Sequence, residues 1–301
     1  MELRKLGLTN ESVSVVCLGG WHIGNGSIPD EQEAIRLLHR AIDLGINFFD
    51  NAWDYNDGDS EERMGKALAQ DGKRDKVFLM TKNCERDFNG SMQDLEDSLR
   101  RLKTDHIDLW QFHEINYDND PEWIFTRGGI DVAIKAREQG KVRFIGFTGH
   151  KDPRLHLEML ARPFLWDACQ MPINVMDANY RSFQKQVVPV CKERGVGVIG
   201  MKALGGGSPT AKFLDKTRLS ASECYRYAMS QSIDSLVMGI RTMEQLEADA
   251  ALAIPLVTMG SEEQEQLIDR AREWSGDGRC ETFKSTADHE GPHHRKQHGF
   301  A

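Results

Sequence analysis

Short runs of apolar and β-branched residues alternate along this chain with longer stretches in which apolar residues recur every three or four positions. The short runs read VSVVCLG, INFFD, KVFLMTK, HIDLWQFH, VRFIGFT, DACQM, GVGVIGM and DSLVMGI. The stretches between them read as amphipathic helices. In DEQEAIRLLHRAIDLG, for example, Ala34, Leu37, Leu38, Ala41 and Ile42 fall on one stripe. Asp30 with Glu33, Ser91 with Asp94, Ser220 with Glu223, and Thr242 with Gln245 have the spacing of helix starts, while Gly45 and Gly195 read as stops. Eight strand–helix units follow one another with no Pro/Ser-rich linker. The pattern predicts an α/β fold, a (β/α)8 TIM barrel forming a single domain over residues 1–274, with a C-terminal tail over 275–301. The residues before Val13 are expected to plug its base.

Two connections exceed what linking elements requires: Glu114 to Asp120 after the fourth strand, and Gly205 to Leu219 after the seventh. Long loops on that face of a barrel shape a pocket. The tail is polar and carries His289, His293, His294 and His298, and it reads as a loosely ordered terminus rather than a flap or a metal site.

Composition narrows the partners. The formal net charge is −9 over 301 residues, which argues against nucleic acid or an anionic membrane. The start MELRKLGLTN has no apolar run of the signal-peptide kind, so a cytoplasmic location is expected. Six cysteines without a CxxC read as reduced thiols, and no metal centre is expected from them.

Four residues at the ends of the second, third and fourth strands have complementary chemistry: Asp50, Tyr55, Lys82 and His113. A hydride arriving at a carbonyl carbon leaves charge on oxygen, and that oxygen needs a proton. A phenol can supply it if an ammonium lowers its pKa, a carboxylate can hold the ammonium, and an imidazole can orient the substrate oxygen. Each residue alone reads more simply as structure; together, at strand ends, they read as a site. A hydride donor implies a phosphate site, and no GxGxxG is present. Barrels bind phosphate after strands seven and eight. There the chain has Met201, Lys202, Leu204 and Gly205 to Gly207, then Gly239, Arg241 and Thr242. Arg241 stands beside the positive end of a helix, which is unfavourable unless an anion sits there.

These residues resemble the aldo/keto reductase family. FFDNAWDYNDGDSEERMGKAL (48–68), LMTK ending at Lys82, LWQFH ending at His113, GFTGH (146–150), QMPIN with Gln170 and Asn174, and GIRTMEQLEA (239–248) carry the resemblance, which runs from Leu6 to about Ala253. MKALGGG and ETFKSTADHEG are similar to a bacterial subgroup of the family. The resemblance implies reduction of an aldehyde, ketone or sugar-derived carbonyl to an alcohol, with a small carbonyl or alcohol as partner. It implies NADP(H) as the preferred cofactor with NAD(H) possible, and no metal. Tyr55 is then the proton donor, Lys82 lowers its pKa, Asp50 holds Lys82, and His113 positions the carbonyl. Cofactor contacts are expected from Trp21, Thr148, Gly149, His150, Gln170, Met201, Lys202, Leu204, Gly205, Gly239, Arg241 and Gln245.

The chain departs from the family pattern at Gly149, where Asn is usual, at Met201, where an aromatic ring is common, and at Gln245, where Arg often stands. Trp21 and Trp53 are expected to wall the pocket. Two other readings use the same residues. One is a metal-dependent barrel hydrolase or isomerase built on His22, Asp50, His113 and His150. The other is a nucleotide-binding, redox-sensing or regulatory subunit with little turnover.

Overall fold

The computed structural model describes residues 1–24, 26–207 and 212–300. A two-stranded antiparallel hairpin comes first, β1 (Leu3–Lys5) and β2 (Ser12–Ser14). Eight parallel strands follow: β3 (Val16–Gly19), β4 (Phe48–Asp50), β5 (Phe78–Asn83), β6 (Ile107–Phe112), β7 (Val142–Thr148), β8 (Ala168–Pro172), β9 (Gly197–Met201) and β10 (Ser235–Gly239). They close in chain order, with β10 pairing β3. The expected (β/α)8 barrel is therefore present. The first predicted strand is in fact two: Ser12–Ser14 belongs to the hairpin and only Val16–Gly19 to the barrel. The chain turns between them because the Val15 N–H donates to Glu2 of the hairpin.

The helices are α1 (Glu31–Asp43), α2 (Asp59–Leu68), α3 (Phe88–Leu102), α4 (Asp120–Thr126), α5 (Gly129–Glu138), α6 (Pro153–Ala161), α7 (Phe183–Gln186), α8 (Val188–Arg194), α9 (Phe213–Thr217), α10 (Ala221–Met229), α11 (Met243–Ala251), α12 (Ser261–Ser275), α13 (Thr282–Ser285) and α14 (Pro292–Gln297). Ser220 and Glu223 form a reciprocal cap at α10, as their spacing predicts. Asp30 caps α1 through the Gln32 N–H, without Glu33 reaching back. Ser91 starts nothing. The helix begins three residues earlier, where Asp87 accepts from the Gly90 N–H, and Ser91 is buried against Asn83. Among the described residues no helix is long and apolar enough to cross a membrane.

Side chains of a strand alternate between faces, so in a barrel every second residue points inward. Leu6, Val13, Cys17, Phe48, Phe78, Met80, Leu109, Ala168 and Ile199 form one buried cluster, with the hairpin residues plugging its base. Two positions further along the same strands come Gly19, Asp50, Lys82, Gln111, Gln170 and Met201. The register thus sets a polar layer on an apolar floor. A larger cluster packs the outer strand faces against the helices.

The tail is not a loose terminus. Lys284 is fully buried and salt-bridged to Asp177 at 2.7 Å and Glu281 at 2.9 Å. Glu290 accepts from Tyr117 Oη at 2.5 Å and pairs with Lys151. His294 and His298 converge on Asp120, which Arg86 also binds at 3.0 Å. These contacts hold residues 288–292 across the mouth of the barrel.

Candidate active site

A cavity of about 640 Å³ opens at the C-terminal ends of the strands, the end where barrels place their chemistry. Asp50, Tyr55, Lys82 and His113 all line it. Lys82 is fully buried and Asp50 is 2 % exposed. The Lys82 ammonium donates to the Asp50 carboxylate, to the Asn51 carbonyl at 2.6 Å and to Tyr55 Oη at 3.3 Å. Tyr55 comes to this point because the chain leaves β4 through a tight turn. There the Tyr55 N–H bonds the Ala52 carbonyl, and Asn56 and Asp57 take positive φ. Its ring meets Trp21 edge-on at 5.2 Å and His113 at 5.7 Å.

Burial, with the Asp50, Asp54 and Glu114 carboxylates behind it, pushes the Tyr55 phenol well above its usual pKa. That direction differs from the lowering expected of Lys82, whose charge is taken up by Asp50. Burial pushes His113 down, against the opposing pull of Asp54. Burial alone would raise Asp54, but the His113 imidazole and then Lys82 outweigh it and hold the carboxyl at about 2.

The cofactor candidates Trp21, Thr148, Gly149, His150, Gln170, Met201, Lys202, Leu204, Gly239, Arg241 and Gln245 all line the cavity. Gly205 does not. At φ +74 it turns inward, where a Cβ would stand 3.1 Å from Met176, and Gly206 and Gly207 face the space instead. Gly149 has a steric reason: a Cβ there would lie 2.4 Å from the Ile115 carbonyl. His150 is engaged with Asn116, and burial followed by Lys202 keeps it neutral. Gln170 accepts from Gln111 at 3.1 Å. Asn174 leaves the cavity, capping the Met176 and Asp177 N–H groups and donating to Glu281.

Thr242 caps α11 through the Gln245 N–H. The Gln245 amide is already bonded, accepting from the Arg241 N–H at 3.1 Å and donating to Gly239 at 3.0 Å. The Arg241 guanidinium is exposed and rests on His22 at 3.4 Å. Trp53 is turned away under the tail, against Arg101 and His293, whereas Trp21 stands 55 % exposed at the mouth. Among the described residues His22, Asp50, His113 and His150 do not converge at ligand spacing, which removes the geometric basis of the metal-hydrolase reading.

Two carboxylates were missed, Asp54 and Glu114, both cavity-lining and each adjacent in sequence to a predicted residue. That adjacency was the available signal. Glu114 and Lys202 both hold left-handed backbone, at φ +53 and +57, an arrangement side chains rarely adopt without a local reason. Burial and Asp54 push Glu114 up to about 8, and burial brings Lys202 down to about 8. Asp288 to Pro292 were missed as well. A Cβ on Gly291 would stand 2.6 Å from Asp54 Oδ2, and the Gly291 N–H donates to both Glu114 oxygens at 3.0 and 3.1 Å.

A parallel barrel with a buried lysine–carboxylate pair under a tyrosine at its mouth fits an oxidoreductase site that delivers a proton to oxygen. The family model for aldo/keto reductases matches residues 15–223, and the chain belongs to that family. Family members are carbonyl-reducing oxidoreductases that use nicotinamide cofactors. The oxidoreductase YrpG of Bacillus subtilis is 34% identical over 229 residues, 69% of this chain and 68% of its own length. L-galactose dehydrogenase of Arabidopsis thaliana is 26% identical over 303 residues, 88% of this chain and 92% of its own. Among solved structures, an aldo-keto reductase from Bacillus halodurans in its holo form superposes with a TM-score of 0.75 at 25% identity. That superposition covers 90% of this chain and 96% of the other.

Proposed function

We propose that this protein is an NAD(P)H-dependent reductase of polar aldehydes, ketones or sugar-derived carbonyls, with Tyr55 as proton donor. The observation that carries the reading is the Tyr55 hydroxyl 3.3 Å from an ammonium locked between Asp50 and the Asn51 carbonyl. Because the phenol is pushed up, it is fully protonated at neutral pH and ready to donate. Lys82 then acts on the product side, stabilising the phenolate left behind. His113 faces the same space and orients the substrate oxygen.

The residues present suit a nicotinamide dinucleotide. A Cβ on Gly239 would lie 2.5 Å from the His22 ring and displace it, and the first turn of α11 follows. Arg241 and the half-buried Lys202 supply positive charge for phosphates, Arg241 being assigned to the 2′-phosphate of NADP(H). Thr148 and Gln170 would meet a carboxamide, with Met201 against the ring. When bound, the cofactor supplies the hydride.

A polar substrate is supported by the polar walls Asp54, Glu114 and Lys202 beside Trp21, and by the likeness to a sugar dehydrogenase over nearly its whole length. The test is a cofactor-consumption screen over aryl aldehydes, simple ketones and sugar carbonyls with both cofactors. Turnover confined to polyhydroxylated compounds is expected. No consumption with any carbonyl, despite nucleotide binding, would replace this reading with a regulatory one.

A further inference from the structure

Asp54 has no part in the donor quartet, yet it is the charged group nearest the outer side of His113. Its Oδ1 lies 3.3 Å from His113 Nδ1. The contact is off the N–H line, so Oδ1 makes no straight hydrogen bond and acts through its charge. The Cys84 sulfur lies 3.5 Å from the same nitrogen. His113 Nε2, on the other side of the ring, has no hydrogen-bond partner among the described residues, and His113 lines the cavity.

A neutral imidazole carries its proton on one nitrogen or the other, and the partner at each decides. A bare Nδ1 would aim its lone pair at a carboxylate 3.3 Å away, whereas a protonated one is attracted. The other titratable groups around the ring do not cancel this preference. Asp50 and Lys82, at the ends of β4 and β5, neutralise each other. Burial keeps Cys84, after β5, and Tyr55, after β4, protonated. Glu114, after β6, is pushed up to about 8, and His150, after β7, is held neutral, so neither carries full charge at pH 7.

We propose that Asp54 is a positioning residue that keeps the His113 proton on Nδ1, so that neutral His113 offers the substrate oxygen an acceptor at Nε2 and becomes a donor there only as imidazolium. The proposal rests on the reading that His113 meets the substrate oxygen, and it adds a directional consequence. A carbonyl oxygen needs a donor, while an alcohol hydroxyl brings its own proton and needs an acceptor. Reduction therefore draws on the imidazolium, whose Nε2 proton passes to the Tyr55 phenolate once Tyr55 has protonated the oxygen, and oxidation starts from the neutral ring, which takes that proton back as Tyr55 receives the alcohol proton. Burial pushes His113 below its usual value, so above about pH 6.5 the resting site matches an alcohol.

The experiment is nitrogen NMR on protein labelled at histidine, with His113 assigned by its loss in His113→Gln. At pH 8 the wild type should show a protonated Nδ1 and a bare Nε2. Asp54→Asn, whose amide can present either a donor or an acceptor to Nδ1, should bring in the Nε2-protonated form. Cys84→Ala should leave the tautomer as it is. In kinetics, wild-type kcat/KM for reduction should fall about tenfold per pH unit above the His113 pKa while oxidation does not, and Asp54→Asn should flatten that limb. A bare Nδ1 in the wild type overturns the proposal. So does a tautomer that follows Cys84 rather than Asp54, or an Asp54→Asn variant with the wild-type tautomer and slope. If Asp54→Asn does not fold, the wild-type tautomer decides alone. The NMR needs no turnover, so absence of carbonyl reduction would count against the proposed function and not against this assignment.

Discussion

Replacing Lys82 with methionine tests whether the buried ion pair holds the site together. The substitution keeps a linear apolar stem and deletes the ammonium. Asp50, 2 % exposed, then loses its salt-bridge partner inside the barrel. Breaking one side of a buried pair costs about 3–5 kcal/mol, because the remaining charge is neither solvated nor matched. Domains of this kind have roughly 5–15 kcal/mol in all, so the loss should be plain. Asp50→Asn combined with Lys82→Met removes the stranded charge. It should recover most of the deficit, leaving about 1 kcal/mol for the lost bond to the Asn51 carbonyl at 2.6 Å. Urea unfolding of the wild type, both single variants and the double variant gives the coupling directly. A Lys82→Met protein within about 0.5 kcal/mol of wild type would refute the argument, as would a double variant whose losses simply add; the figures are those of buried-pair removal and independent sites. The reading is independent of turnover, which both singles should lose.

Tyr55→Phe keeps the ring against Trp21 and removes only the hydroxyl. Reduction should fall about 10²–10⁴-fold with cofactor affinity unchanged by fluorescence titration, and weakened cofactor binding would contradict the donor role. Arg241→Ala should raise the KM for NADPH more than for NADH, and equal effects would remove Arg241 from 2′-phosphate recognition. His156 is fully buried and burial lowers it to about 4, so in the unfolded chain it binds a proton from pH 6.5 downward that the native state refuses. Stability relative to His156→Gln should therefore fall by about 3 kcal/mol between pH 7 and 4, read from denaturation midpoints; a pH-independent difference would show that His156 titrates freely. Lys284→Met strands Asp177 and Glu281 and should detach the tail, exposing Tyr117 and Trp123 to a fluorescence quencher, while leaving barrel circular dichroism intact. Loss of the barrel signal as well would show that the tail and barrel fold as one unit.

The barrel was legible because its signal is local: eight apolar runs, each followed by a helical stripe. The quartet was legible for the same reason. Asp50, Lys82 and His113 stand at strand ends, and the two-residue alternation of a strand aims Asp50 and Lys82 into the interior. The errors arose where distant contacts decide. Ser91 has a start signal, but Asp87 captures the helix first and Ser91 is spent on Asn83. Gly205 belongs to the expected loop yet turns toward Met176, a residue 29 positions away in sequence. The tail looks polar and idle in sequence because its partners, Asp177, Tyr117, Asp120 and Glu114, are more than a hundred positions earlier. Asp54 and Glu114 were visible all along beside Tyr55 and His113, but their importance depends on burial, which spacing does not reveal.

The packed tail also divides the molecule into parts of unequal cooperativity. α9, α12 and the stretch around Cys280 have their own small apolar cluster with Val175, Met176 and Leu219, distinct from the barrel core. Residues 288–292 are held mainly by ion pairs and a few backbone hydrogen bonds. A segment of this kind can open as a sub-global unit while the eight strands stay paired. Its amides should exchange with solvent well before those of the barrel. Entry to the cavity then becomes a local unfolding equilibrium, so ligand exchange should quicken at denaturant concentrations far below the melting of the fold.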